Sequence, residues 1–211
     1  VLTAKAIDLA EELSTSNKTI KSEIIKEENT TLPASSFKFG NQLISFNKND
    51  PVFVIAEIGL CHNGSVDLCK KLILASKESG FNAAKIQTYV PGRISKKTRT
   101  SRYYEETLDA EESISSMLDR IIFSRKELTE IFSYANKVGI ELFSTPFDAE
   151  SVKILEDQNV SGYKISSMDL VNAPLIREVC KTGKPVILSS GMASMSHIEN
   201  AISLCLSMGT S

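Results

Sequence analysis

The chain has only two histidines, His62 and His197, among its 211 residues. Two distant imidazoles do not make a self-contained zinc site, which needs a full tetrahedral set of nitrogen and sulfur ligands. The four cysteines, Cys61, Cys69, Cys180 and Cys205, include no C-x-x-C pair. Nothing therefore demands a disulfide, and a reducing, cytoplasmic location is expected. No run of about 18 apolar residues occurs, so no membrane partner is expected. The opening "VLTAKAIDLAEELSTSNK" lacks a basic stretch followed by an apolar core, and does not read as a signal peptide. Net charge is -2, with no basic stripe or arginine-rich arm, so nucleic acid is not an expected partner. Neither a G-x-G-x-x-G nor a Walker-type phosphate loop is present.

What is there is ordinary for a soluble globular domain: 42% hydrophobic and 24% charged residues, in a chain long enough for one sizeable core. It begins with Val rather than Met, which suggests a fragment or a processed chain. Apolar spacing predicts a short helix over residues 4–14. The polar, Ser-, Thr-, Lys- and Glu-rich stretch to residue 36 reads as a linker. "FKFGNQLISF" places Gly-Asn between apolar positions, the pattern of a hairpin. We divide the chain into an unassigned extension over 1–36, a hairpin cap over 37–48 and a main domain over 49–211.

From Asp50 onward strands and helices alternate. "VFVIAE" reads as a buried strand and "SVDLCKKLILASKESG" as a helix, capped by Ser65 and stopped by Gly80. "NAAKIQT" is the second strand. A polar insertion over roughly 90–123 follows, with some helix around "SISSMLDRI". "SRKELTEIFSYANKVG" is a helix with Ser124 as N-cap and Glu127 completing a capping box. "IELFST" and "DAESVKILEDQ", "SGYKISS" and "APLIREVCKTG", then "KPVILSS" and "SMSHIENAISLCLSMG" complete five strand–helix units. Strict alternation predicts an α/β fold with a parallel sheet. Without a glycine-rich phosphate loop, a (β/α)8 TIM-barrel type fits better than a doubly wound sheet. Five of its eight units are present, so strands one and five would each leave an unpaired edge.

The apolar runs end in polar or ionisable residues. Strand one ends in Glu57. Strand two ends in Lys85 and Gln87, which share a face. Strand three ends in Ser144 and Thr145. Strand four carries Lys164, Ser166 and Ser167, then Asp169. Strand five ends in Ser189 and Ser190. Two ammonium groups with several hydroxyls suit a phosphorylated anion, and Glu57 suits a general base or a partner for a sugar hydroxyl. Bland alternatives stand beside each assignment. Lys85 could emerge between helices, Thr145-Pro146 could form only the strand–helix turn, and Ser189 and Ser190 could bond turn backbone. Asp169 could cap the next helix or face water. His62 fits a structural loop residue better than a ligand.

"IAEIGLCHNG", "AAKIQTY", "FSTPFD", "YKISS" and "GKPVILSSGM" together resemble the successive motifs of the sialic acid synthase family. The resemblance runs from about residue 37 to the end. It implies condensation of phosphoenolpyruvate with an N-acetylated hexose, such as N-acetylmannosamine, to a nine-carbon 2-keto acid. The enolpyruvate C3 attacks the open-chain aldehyde, water adds at C2, and phosphate leaves by C–O cleavage. The resemblance further implies that Glu57 lies near the sugar carbonyl, that Lys85 meets the phosphoenolpyruvate carboxylate, and that Gln87 contacts the sugar. Thr145, Lys164, Ser167 and Ser189 would hold the phosphate and carboxylate of phosphoenolpyruvate. Asp169 would bind the sugar.

A divalent metal, manganese or magnesium, is expected in the complete enzyme, with ligands outside this chain, and so is a homodimer. Three departures stand out. Cys61 replaces an Asn common in the family, Asp169 replaces a common Glu, and the chain stops after the fifth unit, before the later strands that carry the family's two metal-binding histidines, with His197 on a helix and not at a matching position. The chain alone is therefore expected neither to condense its substrates nor to hold the metal. Two rivals remain: another phosphoenolpyruvate-dependent keto-acid synthase making seven- or eight-carbon products, or a non-catalytic remnant that binds a sugar or a partner chain.

Overall fold

The computed structural model describes residues 36–46, 49–92 and 114–210. The predicted helix over 4–14, nearly all of the linker and much of the 90–123 insertion lie outside those residues. The described residues divide into two compact units, one of Val52–Tyr163 and one joining the chain up to Pro51 with Lys164–Ser211.

In the first of these, Val52–Tyr163, three strands and four helices alternate. The order is β3 (Ile55–Gly59), α1 (Val66–Glu78), β4 (Ala83–Thr88), α2 (Ile114–Ile121), α3 (Arg125–Val138), β5 (Glu141–Pro146) and α4 (Ala149–Asp157). Local chemistry sets the helix ends. Ser65 accepts the Leu68 N–H at 3.2 Å to start α1. Ser124 and Glu127 form the reciprocal capping box of α3, and Gly139 ends it in the left-handed region at φ 75°. Asp148 caps α4 through the Ser151 N–H at 2.9 Å and also accepts the Val90 N–H at 3.0 Å, tying the loop after β4 to the end of β5.

Helices α1 and α3 pack on each other and on the strands through Cys69, Ile73, Leu128, Ile131 and Ala135, all buried. Burying an Ile or Leu side chain of this kind contributes about 1.5–3 kcal/mol. Strands β4 and β5 form the best covered part of the sheet, with Ala83, Ala84, Ile86 and Phe143 all fully buried.

The other unit contains the hairpin β1 (Ser36–Phe39) and β2 (Gln42–Ser45), paired antiparallel across the Gly40-Asn41 turn. It also contains Lys164 and Ile165 of β6 (Tyr163–Ile165), a 3-10 turn over Ser167–Asp169, α5 (Ala173–Cys180), β7 (Val186–Leu188) and α6 (Met195–Ser207). Cys180 and Cys205 are buried where α5 and α6 pack. Strands hydrogen-bond in the order β3-β4-β5-β6-β7, and the ladders from β3 to β6 are parallel.

One expectation needs correction. The strand predicted over 52–57 begins only at Ile55 and continues past Glu57 to Gly59. Val52 is 81% exposed and Val54 44%. Both precede the strand, and among the described residues β3 has β4 alone as a neighbour. Val54 is held only at the start of β4, where Asn82 donates its N–H to the Val54 carbonyl and its Oδ1 accepts the Val54 N–H.

Candidate active site

Parallel pairing sets Glu57 beside Lys85, and Lys85 beside Phe143, with Gln87 beside Thr145. Side chains two apart on a strand share a face, so Lys85 and Gln87 point the same way. The Lys85 ammonium is 2.7 Å from Glu57 Oε1 and donates to Thr145 Oγ1 at 3.1 Å. Lys85 is 2% exposed while the Glu57 side chain is 56% exposed. A buried ammonium is tolerable only when its donors are engaged, and here a carboxylate and a hydroxyl engage it. Lys85 therefore does not emerge between helices. Thr145 is a buried strand residue rather than part of a turn.

The neighbouring hydroxyls face away from this group. Thr88 and Ser144 share a hydrogen bond of 2.8 Å between hydroxyls, and Ser144 also donates to the Ile86 carbonyl at 3.2 Å. Both are buried. Of the two residues expected to end the third strand, Thr145 joins the lysine and Ser144 is structural.

Gly59 was not anticipated. It lies at a register shift between β3 and β4, at φ 54°. A Cβ there would sit 3.4 Å from Glu57 Oε1 and 3.8 Å from Gln87 Nε2. A bare backbone next to a carboxylate and an amide leaves both side chains room. The only signal in sequence was a glycine two positions after the glutamate.

His62 is a loop residue, as expected, and is 1% exposed. Its Nδ1 accepts the Gly64 N–H at 3.1 Å, and its ring stacks on Phe123 at 4.2 Å. Its Nε2 has no hydrogen-bond partner among the described residues. Burial lowers the imidazole to about 4, against a smaller opposing pull from the Gly59 backbone, so the ring is neutral at physiological pH.

In the unit containing Lys164–Ser211, the polar residues are arranged differently. Asp169 accepts the Ser166 hydroxyl at 2.6 Å and the Asn172 amide at 3.2 Å. Asn172 in turn caps α5 by accepting the Leu175 N–H at 3.3 Å. Asp169 thus steadies the capping residue instead of capping the helix itself. Ser189 donates its backbone N–H to the Ile165 carbonyl, and the Ser190 carbonyl accepts the Ala193 N–H. Backbone atoms close this turn, not the serine hydroxyls. A Cβ at Gly191 would lie 3.4 Å from Ser167 Oγ, so the loops after β6 and β7 meet there. Lys164 is half-buried on β6 and makes no ion pair or side-chain hydrogen bond among the described residues.

The described residues do not fit a metal. No group of three His, Cys, Asp or Glu gathers among them. His62 has one nitrogen occupied and both buried, and His197 uses Nδ1 in the capping box of α6. No helix among them is long and apolar enough to cross a membrane.

Parallel strands alternating with helices, with a lysine–carboxylate–hydroxyl cluster on adjacent strands and polar residues just beyond two more, define a TIM-barrel-type α/β protein. Residues 72–211 match the NeuB family model, and the chain belongs to that family. It is 41% identical over 166 residues to uncharacterized protein MJ1065 of Methanocaldococcus jannaschii, covering 78% of this chain and 44% of that protein. It is 35% identical over 157 residues to the N,N'-diacetyllegionaminic acid synthase of Campylobacter jejuni, covering 74% of this chain and 47% of that enzyme. The chain thus spans less than half the length of these relatives. The crystal structure of N-acetylneuraminic acid synthetase from Leptospira borgpetersenii in complex with citrate superimposes with a TM-score of 0.68. Identity there is 30%, over 83% of this chain and 56% of that one.

Proposed function

We propose that this chain is the catalytic-barrel portion of a cytoplasmic enzyme that condenses phosphoenolpyruvate with an N-acetylated hexosamine. The product is a nine-carbon 2-keto sugar acid and the by-product is inorganic phosphate. The observation that carries this reading is the Glu57–Lys85–Thr145 cluster: an exposed carboxylate held 2.7 Å from a buried ammonium, on adjacent parallel strands. Kinship with sialic acid and legionaminic acid synthases supports the choice of substrates.

In this reading each residue has a task. Glu57, exposed and beside a fixed positive charge, acts on the sugar carbonyl as general acid or base. Lys85 and Thr145 take the phosphoenolpyruvate carboxylate, and Gln87 takes a sugar hydroxyl. Lys164, Ser167 and Ser189 take the phosphate, with Ser190 supporting the same turn. Ser166 fixes Asp169, which binds the sugar. The new bond joins C3 of the enolpyruvate to the aldehyde carbon. Water adds to C2, and the C–O bond to phosphate breaks. The complete protein would work as a homodimer, and a manganese or magnesium ion, held by residues outside those described, would supply Lewis acidity toward the aldehyde. Residues 37–48 cap the domain that begins at residue 49, and 1–36 carry no assigned role.

The test is a coupled assay on the complete protein with phosphoenolpyruvate, N-acetylmannosamine and manganese. Phosphate release that requires both substrates, with one 2-keto acid formed per phosphate, is the expected result. Phosphate released from phosphoenolpyruvate without the sugar, or no release with any N-acetylhexosamine, contradicts the reading.

A further inference from the structure

His62 is the one buried side chain among the described residues with a polar atom left unbonded, and it lies five residues beyond Glu57. Its contacts run in two directions. Toward its own loop, Nδ1 accepts the Gly64 N–H, closing the turn that leaves β3. Toward the chain beyond β4, its ring stacks on Phe123, just past α2. The two segments are pressed together elsewhere too. A Cβ at Gly64 would meet the Arg120 carbonyl oxygen at 3.0 Å and Ile121 Cα at 3.1 Å. Tyr89, just after β4, donates its hydroxyl to the Leu118 carbonyl at 2.9 Å, and the Gly92 N–H donates to Asp119 at 3.1 Å.

The 114–123 segment is therefore a brace that grips the loops after both β3 and β4, the strands carrying Glu57, Lys85 and Gln87. Gly59 joins Glu57 and His62 along the chain, two residues after the one and three before the other. Its carbonyl lies near His62, and a Cβ built on it would meet Glu57 Oε1 at 3.4 Å and Gln87 Nε2 at 3.8 Å. We propose that His62 is a positioning residue, joining the 114–123 brace to the β3 turn and so setting the bearing of Glu57 and Gln87.

Geometry explains why a histidine stands here. A flat ring is needed to stack on Phe123, and an acceptor at the Nδ1 position is needed for Gly64. Asn supplies the acceptor without the ring, since its Oδ1 readily accepts from the N–H two residues on. Phe supplies the ring without the acceptor. The two substitutions therefore separate the two contacts.

The experiment uses His62→Asn, His62→Phe and Phe123→Leu in the complete protein, with two readouts. The first is amide hydrogen exchange. In His62→Phe, Gly64 is expected to exchange at least about tenfold faster, and the increase is expected to reach residues 57–60. In His62→Asn, Gly64 stays protected. An increase confined to 61–64, with 57–60 unmoved, would mean that His62 steadies only its own turn, and would overturn the proposal. The second readout rests on the condensation proposed above: kcat and KM with phosphoenolpyruvate and N-acetylmannosamine. All three variants are expected to lose about tenfold in kcat/KM for the sugar while the KM for phosphoenolpyruvate stays within about twofold. Unchanged kinetics in variants that fold would contradict positioning. If the parent protein turns over neither substrate, the condensation reading fails alone, and the exchange data still decide the role of His62. Should His62→Phe fail to fold, His62→Asn and Phe123→Leu break the stack from its two sides, and unmoved exchange at 57–60 in both would overturn the proposal.

Discussion

The strand ends near Glu57 and those near Lys164 contain similar residue types, wired in opposite ways. In the first, the charged groups pair with each other: Lys85 bonds to both Glu57 and Thr145, and a buried neutral ring lies in the loop beyond β3. In the second, the bonds belong to the scaffold. Asp169 is spent on Ser166 and Asn172, while the Lys164 ammonium and the Ser167, Ser189 and Ser190 hydroxyls form no side-chain hydrogen bond among the described residues. A preorganised pair with one exposed carboxylate suits proton transfer at a fixed point. A half-buried cation on β6, with unbonded hydroxyls in the loops after β6 and β7, suits capture of an anion.

If that contrast is right, the largest effect comes from Glu57→Gln. It keeps the shape of the first region and removes its charge, and kcat should fall by about 10²–10⁴-fold with phosphoenolpyruvate affinity retained. Steady-state kinetics with phosphate detection checks this, and near-normal turnover would dissolve the distinction.

Acid should loosen the first region selectively. His62 titrates near 4 when folded against an ordinary 6.5, so the unfolded chain takes up the proton first. The stability it permits is complete above about pH 6.5 and is lost as pH falls toward about 4, by about 3 kcal/mol in total. The buried Cys205 thiol of the second region lies at the other end of the scale: burial pushes it up to about 12, with its neighbour Cys180 adding to the shift, and it does not respond to acid. Melting curves from pH 7 to 4 should show the loss, and His62→Phe should remove its pH dependence.

Lys164→Ala should act on the second region alone. Losing a charge-assisted contact costs about 1.5–3 kcal/mol of phosphoenolpyruvate binding. The melting temperature should hardly move, because this lysine supports no other side chain among the described residues. A large loss of stability would show that Lys164 is structural. The smallest effect is expected from Gly59→Ala. A left-handed φ costs a non-glycine residue about 1–2 kcal/mol, and the added methyl would touch Glu57 and Gln87. Denaturant melts should register the first and a raised sugar KM the second.

Much of this was legible in the sequence because it is written in short-range chemistry. Ser65, Ser124 with Glu127, Asp148 and Gly139 marked helix ends through side chains acting within a turn of themselves. The alternation of strands and helices then placed Lys85 and Glu57 on neighbouring strands. What could not be read depends on who stands beside whom. Val52 and Val54 look like part of a buried run, yet they precede β3 and lie exposed. Ser144 and Thr145 are equally polar, but the pleat sends them to opposite faces. Asp169 resembles a helix cap, but Asn172 takes that place and Asp169 holds it. His62 gave no hint of Phe123, which lies 61 positions away.

The division of labour is tested most directly by calorimetric titration of phosphoenolpyruvate into two variants of the complete protein, Glu57→Gln and Lys164→Ala. The account predicts binding within about twofold of the parent for Glu57→Gln and about 10–100-fold weaker binding for Lys164→Ala. Binding that weakens for Glu57→Gln while Lys164→Ala binds normally would contradict it.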